Sequence, residues 1–323
     1  MPQHTITLDD ADIRLDRWFK RHYPGFAHGM LEKQLRKGTI RLDGKKSKTS
    51  EHVLVGQTID ISFEMTKEAT EKKSASTFKR LDPKDVEMMQ KSVIYRDEHI
   101  LIINKPFGLP VQGGSKVTKN VDDLLDALQF EMPARPKLVH RLDRDTSGVL
   151  VLARSASIAA KLAKAFSSKD GLEKIYWALV YGSPLPMQGT IDMKLAKSAD
   201  DDSVYERVGV NDEDGKRAIT EYRTVESLAR KYAWMELKPI TGRTHQLRVH
   251  MAEIGCPIVG DPKYNHREHG MSNINVANQL HLHARRIIIP ADILGRKIDV
   301  SAPLPPHMKT TFKALELDIP KGA

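Results

Sequence analysis

Apolar positions near the start of the chain recur first at helical and then at strand spacing. In "RLDRWFKRHY", Leu15, Trp18, Phe19 and His22 share one helical face, and in "HGMLEKQLRKG" Leu31 and Leu35 do so at i, i+4. Gly38 follows where a C-terminal glycine cap belongs. "TIRLDGKK" alternates Ile40 and Leu42 about Arg41, Asp43-Gly44 is a hairpin turn signal, and "HVLVGQTIDISF" supplies more strand. Residues 65–85 hold few large apolar side chains and many Lys, Glu, Ser and Thr. Such a stretch cannot bury a core and is predicted to be a linker.

The pattern of the larger piece beyond it is less regular. Ile100 to Ile103 predicts a buried strand that ends at Asn104-Lys105-Pro106, since proline cannot donate to a ladder. "VDDLLDAL" predicts a short helix, and Val149 to Leu152 a second buried strand. Ser157 is expected to cap a helix whose inner stripe is Ile158, Leu162, Ala165 and Phe166. "EKIYWALVYG" reads as a strand with Tyr176, Ala178 and Val180 on one face and Ile175, Trp177 and Leu179 on the other. Residues 196–216, polar and acidic, predict a loop or hairpin excursion. "AITEYRTVES" and "YAWMELKPI" predict paired strands. "TGRTHQLRVHMAEIG" predicts a helix opening near Thr244, with Leu247, Met251 and Ile254 on one face and Gly255 at its end; the closing "ELDIPKGA" reads as a frayed tail. Strands in irregular order with few helices argue for α+β rather than a doubly wound sheet. The expected division is a front domain at 1–64, a linker at 65–85, a body at 86–306 and a tail at 307–323.

Composition narrows the class. The 323 residues are enough for two domains, and with 40% hydrophobic and 29% charged residues the chain is globular. No apolar run approaches the ~20 residues of a membrane span, and "MPQHTITLDDADIRLD" has no signal-peptide core, so a cytoplasmic protein is expected. Cys256 is the single cysteine, which rules out an internal disulfide. The net charge of +9 points to a polyanionic partner. Its arrangement sharpens this: Lys33, Arg36, Lys37, Arg41, Lys45, Lys46 and Lys48 face only Asp43 within their stretch, either a phosphate-binding face or a solvated one. With no GxGxxG after a strand and no P-loop, no nucleotide cofactor is expected.

The densest charge lies in "LVHRLDRDTSGVLVLARS". His140, Arg141, Asp143, Arg144 and Asp145 crowd the start of the strand at Val149. Two readings stand: a surface turn rich in salt bridges, or a rigid turn presenting carboxylates into a cleft beside cations that favour their charged form. His140 reads as a hydrogen-bonded orienting residue. Arg243 precedes a helix start, where a side chain can point into a cleft. His245 and His250 are five apart and do not share a helix face as a metalloprotease pair does. His281 and His283 share a strand face, but no cysteine or close carboxylate completes a metal site, so no metal is expected. Tyr176, on a strand apolar on both faces, is as readily core as functional. GxSxG is absent, so a hydrolase triad has no support.

Taken together these segments resemble known families. "RLDRWFKRH", "MLEKQLRKGTIRLDGKK" and "VLVGQTIDI" are similar to the small S-four-like RNA-binding domain, with Asp-Gly in place of its usual Asn-Gly. "INKPFGLPVQGG", "LVHRLDRDTSGVLVLAR", "EKIYWALVYG", "GKRAITEYR", "PITGRTHQLRVHMAEIGCPIVGDPKY" and "LHLHARRIIIP" resemble the RluA-type pseudouridine synthases, in the branch acting on large-subunit ribosomal RNA. The HRLD-x-x-TSG motif is specific to that family. The resemblance implies a catalytic domain on a mixed, mainly antiparallel sheet. It implies isomerisation of specific uridines in 23S ribosomal RNA or its assembly intermediate, by a monomer without cofactor. Asp143 would be the essential carboxylate, Tyr176 would stack on the flipped base, and Arg243 would pair with Asp143. Arg141 would fill the gap left in the RNA, and Leu247 would floor the pocket. Lys33, Arg36, Lys37, Arg41, Lys45 and Lys46 would bind RNA. The rival readings are a non-catalytic RNA-binding assembly factor and a metal-dependent nuclease using Asp143, Asp145 and the histidines.

Overall fold

The computed structural model describes residues 3–7, 10, 13–23, 25–26, 28–62, 81–113, 117–168, 171–197, 208–211, 213–265 and 277–319. The chain falls into two units, Met1–Arg80 and Leu81–Ala323.

In the front unit, β1 (Gln3–Thr5), β2 (Ile13–Arg14), α1 (Leu15–His22), α2 (His28–Lys37), β3 (Ile40–Leu42), β4 (His52–Val53) and β5 (Thr58–Ile61) follow in order. The sheet runs β1-β5-β3, and β2 pairs with β4. Trp18 and Phe19 of α1 and Leu31 and Leu35 of α2 bury against Ile40, Ile59 and Ile61, which is why the helical stripes and the strand alternation occur where they do. Asp43 and Gly44 both have positive φ (46° and 71°), the type I′ geometry that suits a two-residue hairpin.

The body begins earlier than its composition indicates. Asp82 caps α3 (Pro83–Lys91) by accepting the Lys84 N–H at 2.9 Å, so the last residues of the expected linker are helical; 63–80 lie outside the described residues. There follow β6 (Val93–Arg96), β7 (Ile100–Lys105), α4 (Val121–Leu124) with a 3-10 turn to Leu128, β8 (Lys137–Leu138), β9 (Ser147–Ala153) and α5 (Ala156–Ser167). Then come β10 (Glu173–Tyr181), β11 (Gln188–Lys197), β12 (Val208–Val210), β13 (Lys216–Leu228), β14 (Tyr232–Pro239) and α6 (Gln246–Glu253). The chain closes with β15 (Leu282–Ile289), α7 (Ala291–Leu294), β16 (Ile298–Ser301) and α8 (Pro306–Ala314).

Among the described residues eleven strands form one sheet, ordered β12-β11-β13-β14-β10-β15-β9-β7-β6, with β16 on β15 and β8 on β9. Every pairing is antiparallel except β15 with β9, so the sheet is mixed and mainly antiparallel. The parallel contact is short, His283 to Ser147 and Ala284 to Gly148, after which β15 passes to β16. Gly148 makes it possible: its φ is +107°, and a Cβ there would lie 2.2 Å from the Ala284 carbonyl oxygen. Residues 196–216 include a hairpin excursion, β12 pairing back on β11; 198–207 lie outside the described residues.

Three local expectations are corrected. Ser155, not Ser157, caps α5, because Ser155 has extended backbone and its hydroxyl accepts the Ile158 N–H at 3.3 Å, while Ser157 already lies within the helix. The segment 307–319 is not a tail, and 320–323 lie outside the described residues: Met308, Phe312 and Leu315 of and after α8 bury beside Trp234 and Leu304. Their spacing after Pro305-Pro306 is itself a helix signal. The helix expected near Thr244 opens at Gln246. No helix among the described residues is long and apolar enough to cross a membrane.

Candidate active site

The charged turn joins β8 to β9 and is held from beneath at several points. Nε2 of His140 accepts the Val151 N–H of β9 at 2.8 Å, and its ring stacks on Phe166 at 4.1 Å between centroids. Burial pushes His140 down to about 3, so it acts as a neutral acceptor, the orienting role its position indicates. The Thr146 N–H donates to the Asp143 carbonyl at 3.2 Å, and Ser147 Oγ meets His283 Nδ1 at 2.8 Å. Beneath the turn lies Lys105, fully buried. Its ammonium donates to the carbonyls of Pro106, Leu109 and Arg144 at 2.9, 2.8 and 3.0 Å, three acceptors for three donors. Burial lowers Lys105 to about 7 against the attraction of Asp145 and Asp143. The turn is therefore more than a surface turn rich in salt bridges. Its backbone is fixed, Arg141 and Arg144 are exposed, and the Asp143 side chain remains 21% exposed inside a cavity.

The opposite wall comes from the segment before and within α6. His245, at the helix N-cap, is left-handed (φ 54°, ψ 14°) and offers no cap of its own. Gln246 takes over: its Oε1 accepts the Arg243 N–H at 3.0 Å and the Thr241 hydroxyl at 2.7 Å, while its Nε2 donates to Ile219 O and Thr220 Oγ1, both at 2.9 Å. All six residues from Gln246 to Met251 are buried, so α6 has no solvent face along that stretch. Arg248 sits among them. Its guanidinium binds both oxygens of the fully buried Asp261 at 2.7 Å each, and its Nη1 lies 3.8 Å from Asp143 Oδ2. Tyr264 packs against Arg248 at 5.1 Å, and its hydroxyl reaches His245 Nδ1 at 2.8 Å.

These walls enclose about 370 Å³, lined among others by Arg141, Asp143, Lys174, Tyr176, Arg243, His245, Leu247 and Arg248. That is room for one nucleoside, not a helix. Strand alternation brings Lys174 and Tyr176 to the same face of β10, toward the cavity. Burial, and then the charge of Asp143, push the Tyr176 hydroxyl well above the usual tyrosine range, so the ring meets any ligand as a neutral phenol. Burial lowers Lys174. Leu247 adds an apolar surface.

One expected pairing is corrected. Arg243 lines the cavity, but it is exposed and its Nε donates to the Arg217 carbonyl at 3.2 Å; the cation beside Asp143 is Arg248. Arg243 precedes the helix, outside the packed core, whereas Arg248 lies on the buried first turns of α6. The sequence reading missed Arg248, Asp261 and Tyr264, and weighed His245 only as a metal ligand. The signal was present: an arginine flanked by Leu247 and Val249 in a helix, followed by an aspartate in "GDPKY". Arg141, Lys174 and Arg243 have no carboxylate partner among the described residues, which leaves the cavity rim positively charged.

The histidines do not gather. His250 bonds Thr220, His281 bonds the Gln279 carbonyl and Thr311, and His283 bonds Ser147 and the Ala302 carbonyl. No group of three or more potential metal ligands occurs among the described residues. In the front unit, Lys33, Arg36, Lys37, Arg41, Lys45, Lys46 and Lys48 are all exposed. Arg41 donates to the carbonyls of Gly38 and Gly44 at 3.0 and 3.1 Å, fixing its fork at the hairpin.

Comparison with known proteins gives the same direction. Residues 99–253, which include the charged turn, β10 and α6, match the family described as RNA pseudouridylate synthase. A protein of Rickettsia prowazekii named ribosomal large subunit pseudouridine synthase C is 36% identical, over 91% of this chain and 94% of its own length. RNA pseudouridine synthase 4, mitochondrial, of Arabidopsis thaliana is 33% identical over 96% of this chain and 81% of its own. Among solved structures, human RNA pseudouridylate synthase domain containing 4 superposes with a TM-score of 0.60 at 30% identity, covering 73% of this chain and 97% of that one. The chain thus belongs to the RNA pseudouridylate synthase family and is an isomerase acting on RNA.

Proposed function

We propose that the protein converts specific uridines of large-subunit ribosomal RNA, or of its assembly intermediate, to pseudouridine, with Asp143 as the essential carboxylate. The observation that carries this is the Asp143 carboxylate inside a nucleoside-sized cavity, opposite Tyr176 and beside a buried guanidinium. The relatives named for the ribosomal large subunit, which match over nearly their whole length, support the choice of RNA.

In the reaction the N1–C1′ bond breaks, the uracil turns over, C5 joins C1′, C5 loses its proton and N1 gains one. Nothing is oxidised or hydrolysed. Positive charge builds on the ribose as the bond breaks, and a fixed carboxylate stabilises it. An activated water would destroy the intermediate, so a single carboxylate in a sheltered cavity suits the chemistry better than a pair. The detached base is kept against the Tyr176 ring and Leu247. A paired base must first leave its stack, at a cost of a few kcal/mol; Arg141, exposed at the rim two residues before Asp143, fills the space it leaves. Arg243 contacts the RNA at the rim rather than Asp143.

The front unit is assigned as an S-four-like RNA-binding domain. The seven exposed basic residues between Lys33 and Lys48, none paired with a carboxylate among the described residues, support this. Replacing Lys33, Arg36 and Lys37 by Gln is expected to weaken RNA binding and to flatten its salt dependence, by about 0.7–0.9 in log–log slope for each phosphate no longer neutralised. Titrations of RNA at several salt concentrations check it. The substrate itself is tested by mapping pseudouridines in ribosomal RNA with and without the gene; the loss of discrete large-subunit sites is expected, and an unchanged map refutes the assignment. A non-catalytic assembly factor would also leave that map unchanged.

A further inference from the structure

We propose that His245 is a positioning residue for the Asp143 carboxylate, held by the Tyr264 hydroxyl as the tautomer that carries its proton on Nε2. The inference rests on the reading of Asp143 above and extends it to a pair of side chains with no role so far.

Three observations converge. The first is backbone: His245 is left-handed, a conformation that costs a residue with a Cβ roughly 1–2 kcal/mol, although histidine adopts it more readily than most. Glycine would relieve that strain but supply no ring. Strain kept at a cavity wall points to what the side chain does there.

The second is the hydrogen-bond arithmetic at Tyr264. Its oxygen accepts the Val208 N–H at 3.0 Å and lies 2.8 Å from His245 Nδ1. With one lone pair engaged by Val208, the phenol proton is free to point at Nδ1. An imidazole that accepts at Nδ1 carries its hydrogen on Nε2.

The third is where Nε2 points: 3.9 Å from Asp143 Oδ2. An Nε2–H turned toward a carboxylate attracts it, whereas the other tautomer would set a lone pair against it. The separation exceeds a hydrogen bond by about 1 Å, a gap of the kind that closes when a substrate is seated. Arg248 approaches the same Oδ2 at 3.8 Å, so two N–H donors converge on one oxygen and leave Oδ1 for the nucleoside.

The ring is neutral in this arrangement. Burial lowers its pKa; Asp143 and Asp261 pull it upward, and Arg248 and Lys263 push it down. Acidification would therefore charge His245, force a proton onto Nδ1 and turn the Tyr264 hydroxyl away.

Two measurements test the proposal. Imidazole 15N chemical shifts of His245 in the full-length protein are expected to show the Nε2–H tautomer, and Tyr264→Phe is expected to mix the two forms. An Nδ1–H tautomer in the wild type overturns the proposal whether or not the protein modifies RNA, which separates this test from that of the reaction itself. In turnover assays, His245→Leu is expected to lower kcat by about 10²-fold, the scale of an ångström's misplacement, with KM for RNA unchanged. His245→Gln, whose amide N–H can face Asp143 while its carbonyl accepts from Tyr264, is expected to recover much of that loss and to flatten the acid side of the kcat profile. Wild-type kcat in His245→Leu, or a raised KM with kcat intact, overturns the proposal.

Discussion

Asp143→Asn is expected to abolish pseudouridine formation while leaving RNA binding and the fold in place. A unit charge about 4 Å from a developing cation is worth roughly 4 kcal/mol at an effective dielectric constant of 20, about a thousandfold in rate. A lost proton-transfer function would add a factor of about 10²–10⁴. The fold survives because the buried guanidinium does not depend on Asp143: Arg248 keeps both of its bonds to Asp261. Single-turnover assays on ribosomal RNA, binding titrations and thermal melts check the three parts. Conversion within tenfold of wild type would remove Asp143 from the chemistry. Inactivity together with a collapsed melting temperature would instead give it a structural task.

Asp261→Ala is expected to be the more damaging change to the molecule as a whole. The Asp261 side chain is fully buried, and both its oxygens bind Arg248, itself nearly buried. Removing one partner of such a pair strands the other's charge and costs about 3–5 kcal/mol, or about 6–20 °C in melting temperature for a domain of this size. Oδ1 of Asp261 also accepts the N–H groups of Lys263 and Tyr264, at 2.8 and 3.2 Å, so the turn that presents Tyr264 would loosen. Freed of Asp261, the guanidinium has Asp143 as its nearest remaining carboxylate. Activity should therefore fall by more than unfolding accounts for, when measured well below the melting temperature. Scanning calorimetry and turnover at 20 °C separate the two effects; a melting temperature within 2 °C of wild type would mean that the pair is no strut of the fold.

Much of this was legible in the chain. The helices at Leu15 and His28, the Asp43-Gly44 turn and the strands at Ile100, Val149 and Glu173 follow from period and turn chemistry, which act over a few residues. The charged turn announced itself because five ionisable groups before a buried strand need an explanation. What period cannot report is which distant side chain meets which. Arg243 and Arg248 are both arginines in one motif, and only the burial of α6 along Gln246–Met251 decides between them. Asp261 reads as a turn residue until its partner is known. Ser155 and Ser157 are equivalent in sequence and differ only in backbone conformation. The helix at Pro306 was passed over because polar Lys309, Thr310 and Lys313 on its outer face dilute the apolar stripe.

The order of strands in the sheet has a bearing on synthesis. β10, which carries Tyr176, lies between β14 and β15, both made later, and Arg248 and Asp261 emerge over a hundred residues after Asp143. A nascent chain leaving the ribosome thus exposes the HRLD turn long before Arg248, the guanidinium beside Asp143, exists. Such long-range closure is slow in the contact-order sense. No shortened product that stops before Asp261 has the cation anchored beside Asp143, so a prematurely terminated chain is left without the assembled cavity.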